Sequence, residues 1–150
     1  MENAVQIKNG VLAVLAVAGS VLANALGGWD GALKVLVIMM VADYVTGLLV
    51  AALWHKSPKS DSGALDSRAG FRGIVRKCMI LLLVWVAAAM DRYLGINFAR
   101  AAVILFFIGN EGLSLLENMG LMGVPYPQKF KNALEALKKQ GDEGTVTHNG

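Results

Sequence analysis

The sequence predicts an all-α integral membrane protein of helical hairpins. It has four transmembrane helices (three if the first does not cross) and a C-terminal amphipathic helix. Three observations carry this. Of 150 residues, 55% are hydrophobic and only 17% charged, where a soluble domain carries about 25% charged residues. The mean hydropathy is +0.52. The apolar residues gather in four segments, Gly10–Leu26, Gly31–Trp54, Ile74–Leu94 and Ile96–Leu116, and most basic residues lie between or after them.

A spanning helix needs about 20 apolar residues. The second, third and fourth segments reach that length, and the first is shorter and alanine-rich. Lys8 before the first segment gives it a signal-peptide look, but a second apolar helix follows directly, so cleavage is not favoured. Gly27-Gly28-Trp29-Asp30 reads as a tight turn with an interfacial tryptophan. The stretch Asp91 to Arg100 reads as a second short, nearly neutral turn.

The long connection His55–Lys77 is different. Lys56, Lys59, Arg68, Arg72, Arg76 and Lys77 face only Asp61 and Asp66, which leaves it at +4. By the positive-inside rule this loop is cytoplasmic, and four spans then put both termini there too. Residues 1–123 form the transmembrane domain and 124–150 a cytoplasmic tail. In that tail, Val124-Pro125-Tyr126-Pro127 turns the chain. Gln128–Gln140 then places Phe130, Leu134 and Leu137 on one helical face, with Lys129, Lys131, Lys138 and Lys139 supplying charge. Such a helix is either solvated or rests on an anionic leaflet, at about 1 kcal/mol per nearby basic residue. Gly141–Gly150 is polar and expected to be disordered.

Two carboxylates break the apolar pattern. Asp43 lies in mid-segment and Glu111 recurs in the fourth. A charge at such depth costs roughly 2.5–3.5 kcal/mol on insertion scales, so both are expected to face protein or water. Asp43, Gly47 and Ala51 stand four apart and put a carboxylate on a small-residue groove. Asn110, Ser114, Glu117 and Asn118 share a helical sector, with Glu111 at its border. A structural role would pair Glu111 with Arg76 or Lys77; a functional one would line a wet interface between copies. In the first segment Ala16, Ser20 and Asn24, with Gly19 and Ala23 beside them, form stripes suited to helix packing.

Other functions find no support. One cysteine, Cys78, cannot form an internal disulfide. The basic residues flank apolar segments, so they indicate lipid rather than nucleic acid. There is no phosphate loop, metal-ligand cluster or nucleophile–base pair, and His55 and His148 read as solvated. No enzyme activity, metal or cofactor is expected.

Three stretches in order carry a family likeness: DYVTGLLVA at 43–51, GIVRKCMILLLVWVAAAMD at 73–91 after a loop with Ser67, Gly70 and Gly73, and NEGLSLLENMGLMGVPYPQ at 110–128. Over roughly residues 35–140 the chain resembles phage holins of the toxin-secretion/phage-lysis type. The family motif maps onto Asp43, Gly47, Arg76, Lys77, Asp91, Asn110, Glu111, Glu117 and Asn118. The resemblance implies a small protein of the bacterial cytoplasmic membrane that homo-oligomerises, permeabilises the bilayer without covalent chemistry and so releases an endolysin or toxin. The tail after Lys139 lacks the strong basic charge of many holin tails. Two rivals stand beside this reading: a small ion channel or transporter using Asp43 and Glu111, and a non-pore antiholin or accessory protein.

Overall fold

A computed structural model describes residues 2–59, 62–64 and 66–143. Helix α1 covers Glu2–Ala25 and α2 covers Gly31–Leu49, running on into a π-helical stretch, Val50–Trp54. Then come α3 (Ser67–Leu94), α4 (Ala99–Leu121) and α5 (Gln128–Glu143). No strand occurs among the described residues. Four helices, α1, α2 with its π-helical end, α3 and α4, are long and apolar enough to cross a membrane.

Helix α4 is the hub, packed by α2, α3 and α5. Leu33, Leu36 and Met40 of α2 meet Ile80 and Val84 of α3 and Ile104 and Ile108 of α4 in one buried cluster. Those positions recur at three- and four-residue spacing, so each helix gives one stripe to the centre. The remaining apolar surface points out. Ile38, Val41 and Val45 of α2 and Met79, Leu82, Leu83 and Val86 of α3 are exposed, as expected of helices that meet lipid on their outer sides.

Helix α1 has no buried residue. It is joined to the body at its end only. There Arg92 donates to the carbonyl oxygens of Asn24 (2.5 Å) and Ala25 (3.2 Å). Arg100 donates to those of Leu26 (2.5 Å) and Gly28 (3.1 Å) and pairs with Asp30 at 2.6 Å. These arginines satisfy carbonyls that a helix end leaves without partners. Gly27 is required here: its φ is +87°, and an added Cβ would sit 2.7 Å from the Arg100 side chain. Asp30 caps α2 by accepting from the Leu33 amide.

The α3–α4 turn is only Gly95 to Phe98. The carboxylate of Asp91 reaches across it and accepts from the amides of Ala99 and Arg100, both at 3.0 Å. Helix α3 also starts earlier than the apolar run. Asp66 accepts from the Arg68 amide as N-cap, so Arg68 and Arg72 are helical rather than in the loop.

Helix α5 runs antiparallel along α4. Gly112 opposes Leu134, Gly109 opposes Leu134 and Lys138, and Gly141 opposes Phe106 and Ala102. A Cβ at Gly109 would lie 2.5 Å from the Leu134 carbonyl, so backbone meets backbone as in small-residue membrane packing. The ammonium of Lys138 sits over the Phe106 ring. Of the polar stretch 141–150, the first three residues finish α5; residues 144–150 lie outside the described residues, as do Asp61 and Leu65.

Candidate functional site

The middle of the bundle holds ions. Asp43 is 4% exposed and Glu111 1%, and they come from different helices, α2 and α4. Lys77 of α3 lies between them. Its ammonium pairs with Asp43 Oδ2 at 2.8 Å and also hydrogen-bonds Glu111 Oε2. Two weaker contacts complete the shell: Lys59 to Asp43 at 3.8 Å and Arg76 to Glu111 at 3.9 Å.

Polar neighbours fill the remaining bonding capacity. The amide of Asn118 donates to Asp43 Oδ1 and Thr46 Oγ1, both at 3.1 Å, and to the Asp43 backbone carbonyl at 3.2 Å. The Thr46 hydroxyl donates back to the Ala42 carbonyl at 2.8 Å. The Ser114 hydroxyl lies beside the Asp43 carboxylate. No buried side-chain nitrogen or oxygen lacks a partner among the described residues. Satisfaction of this kind is what lets charge persist away from water; removing one partner of a buried pair costs about 3–5 kcal/mol.

Local sequence explains the convergence. Glu111, Ser114 and Asn118 fall at i, i+3 and i+7 of α4 and so line one face. Gly47, one turn after Asp43, makes room: a Cβ there would already touch the Asn118 amide at 3.6 Å. After Gly47 the helix widens into its π-helical stretch, and His55 leaves it in the left-handed region at φ 49°. Such widened turns are frequent at functional sites.

A cavity of about 230 Å³ opens from the loop side toward this cluster, between the end of α2 and the start of α3. Gly47, Ala51, Ala69, Gly70 and Gly73 leave the space, and the Tyr44 ring packs on Gly73.

The structure gathers Asp43, Glu111, Ser114 and Asn118 and puts Gly47 and buried Ala51 alongside. Asn110 is half-buried, outside the hydrogen-bonded group, and Glu117 faces outward. Ala16, Gly19, Ser20 and Asn24 are exposed and Ala23 half-buried, with nothing within 4 Å of where a Gly19 Cβ would be. Lys56 and Arg68 are exposed, Lys59, Arg72 and Arg76 ring the cavity mouth, and Lys77 is drawn inside. Sequence reasoning missed Thr46 and the contacts of Arg92 and Arg100, and had Asp91 only as a position of the family motif. A threonine in an apolar helix and a balanced turn gave no charge signal. Among the described residues no cluster of His, Cys, Asp or Glu could hold a metal ion.

Helices long and apolar enough to span, a buried ion cluster at mid-length and outward apolar faces define a polytopic α-helical membrane protein. Within that class, the chain belongs to the bacteriophage holin family, whose profile matches residues 20–139. It is 32% identical over 114 residues to a protein of Bacillus phage phi105 named "Probable holin", covering 75% of this chain and 78% of that one. It is 41% identical over 127 residues to an uncharacterised protein of Listeria innocua (83% and 85% covered). It is 37% identical over 143 residues to an uncharacterised 14.9 kDa protein from the nagH 3' region of Clostridium perfringens (93% and 99% covered). No solved structure matches.

Proposed function

We propose that this holin-family protein homo-oligomerises in the bacterial cytoplasmic membrane and permeabilises it, opening the way for an endolysin or a toxin. The observation that carries the reading is the cluster in which Lys77 joins the buried carboxylates of Asp43 and Glu111 between three apolar helices. A lone subunit keeps these charges by sealing them against one another. Above a threshold density, subunits rearrange so that polar stripes face a shared aqueous lumen, where water takes over the partners' task. Helix α5 supports the same picture. Its outward side carries Lys129, Glu135, Lys139 and Glu143, all exposed, while its inward side runs along α4. Lipid does not accept such a face at depth; an aqueous lumen does, and so does the headgroup surface once α5 leaves α4. The basic loop and the N-terminus lie on the cytoplasmic side in this reading, and the C-terminal helix joins them there once it leaves α4.

Inducible expression in bacteria tests it, with membrane potential and release of a folded cytoplasmic reporter followed together. The reading expects collapse of potential and reporter release at the same moment. Reversible flux of one ion without reporter release favours a channel or transporter. Absence of any killing by the chain alone favours an antiholin or accessory role.

A further inference from the structure

We propose that the cavity between α2 and α3 binds a phosphate group, that of an anionic lipid headgroup. The inference goes beyond permeabilisation and stands without it.

Charge comes first. Three cations ring the mouth: Lys59, Arg72 and Arg76. Arg72 has no ion-pair partner among the described residues. Arg76 and Lys59 reach their carboxylates only at 3.9 and 3.8 Å, with side chains 58% and 46% exposed. The cavity's own acids are engaged elsewhere: Asp43 holds Lys77 at 2.8 Å, and Asp66 accepts from the Arg68 amide at 2.9 Å. The mouth therefore presents guanidinium and ammonium donors with unspent capacity, the donor set that suits phosphate oxygens.

Shape and place select a lipid as the source. Ala69, Arg72, Gly73 and Arg76 recur at i, i+3, i+4 and i+7 of α3, so one helix face carries both the small residues and the arginines. The opposite wall is apolar, with Tyr44, Leu48 and Ala51. A cationic rim over an apolar wall fits a group that is charged at one end and greasy below. The cavity's mouth also lies toward the end of α2 and the start of α3, beside the basic loop. That is the headgroup level, where interfacial tryptophans sit and basic pockets between helices take anionic lipids.

The test is native mass spectrometry of the purified full-length protein in mixed micelles of phosphatidylglycerol and phosphatidylcholine. One phosphatidylglycerol is expected to be retained in preference to phosphatidylcholine. Arg72→Gln, which leaves the buried cluster intact, is expected to lower that retention about fivefold, the effect of one basic residue at a membrane surface. Ala69→Leu, which fills the cavity without changing charge, is expected to lower it as well. Arg68→Gln removes an equal charge outside the cavity and is expected to leave retention unchanged. Equal losses in Arg72→Gln and Arg68→Gln, or full retention in Ala69→Leu, would mean diffuse surface attraction and overturn the site. Inorganic phosphate, added as competitor, is expected not to displace the lipid. Displacement by it, with no preference between the two lipids, would overturn the lipid source.

Discussion

Asp43 and Glu111, on different helices, share one ammonium, that of Lys77. A single cation between two buried carboxylates ties α2, α3 and α4 together at one point. The arrangement is asymmetric, since the outer cations Lys59 and Arg76 are longer and wetter contacts. Exposed pairs of that kind contribute little. The ammonium of Lys77 therefore carries the cluster.

Lys77→Met keeps the volume and removes the charge. It leaves two carboxylates buried without their common partner, and a loss of about 3–5 kcal/mol is expected. Thermal unfolding in mild detergent measures it. Adding Asp43→Asn and Glu111→Gln to Lys77→Met is expected to restore most of that loss, because no uncompensated charge remains. A triple variant as unstable as Lys77→Met would mean that packing, not charge, explains the defect.

Asp43→Leu separates insertion from lysis. The helix becomes more apolar, so membrane insertion is expected to be unchanged, while lysis after induction is delayed or lost. Membrane fractionation and culture density read the two. Lysis on the normal schedule would remove Asp43 from any lumen.

Gly109→Val is expected to lift α5 from α4. The new side chain meets the Leu134 carbonyl and the Lys138 backbone, an overpacking that costs about 1–3 kcal/mol. Trypsin should then cut faster at Lys129, Lys131 and Lys139 in purified protein. Unchanged digestion would mean that the α4–α5 contact does not hold the tail.

Much of this was legible in the chain. The spans follow from apolar length, and the pair Gly27-Gly28 marks a reversal because glycine takes positive φ freely, as both do here. Asp43 and Glu111 draw notice because charge in an apolar window must find a partner. Which cation serves Glu111 was open between Arg76 and Lys77, since the choice depends on the rotation of α3 against α4. Helix α5 shows the other limit. Its amphipathic pattern reveals an apolar face but not what covers it. The glycines that let it approach, Gly109, Gly112 and Gly141, lie on two helices and share no local signal. The Asp91 carboxylate likewise caps a helix eight residues on, a contact that exists only after the turn has formed.

The turn near Asp30 makes a pH prediction. Its hydrogen bond to the Arg100 guanidinium holds the carboxyl below its ordinary 3.8. A depressed folded-state value stabilises fully above the unfolded value and is lost as pH falls through the folded one. Asp30→Asn keeps an N-cap acceptor and removes the charge. The melting-temperature advantage of the native chain over Asp30→Asn is thus expected near neutral pH and should shrink below pH 3.8. An advantage that grows in acid would contradict this pairing.

Whether the ion cluster opens to water when the membrane fails is most directly read by thiol accessibility. Ser114→Cys in a Cys78→Ala background places a small probe beside Asp43. Membranes are isolated before and after the onset of lysis and treated with a charged, water-soluble thiol reagent. The expected result is no labelling before onset and ready labelling after it. Equal labelling at both times, or a site still closed in permeabilised membranes, would contradict a polar lumen built from these helices.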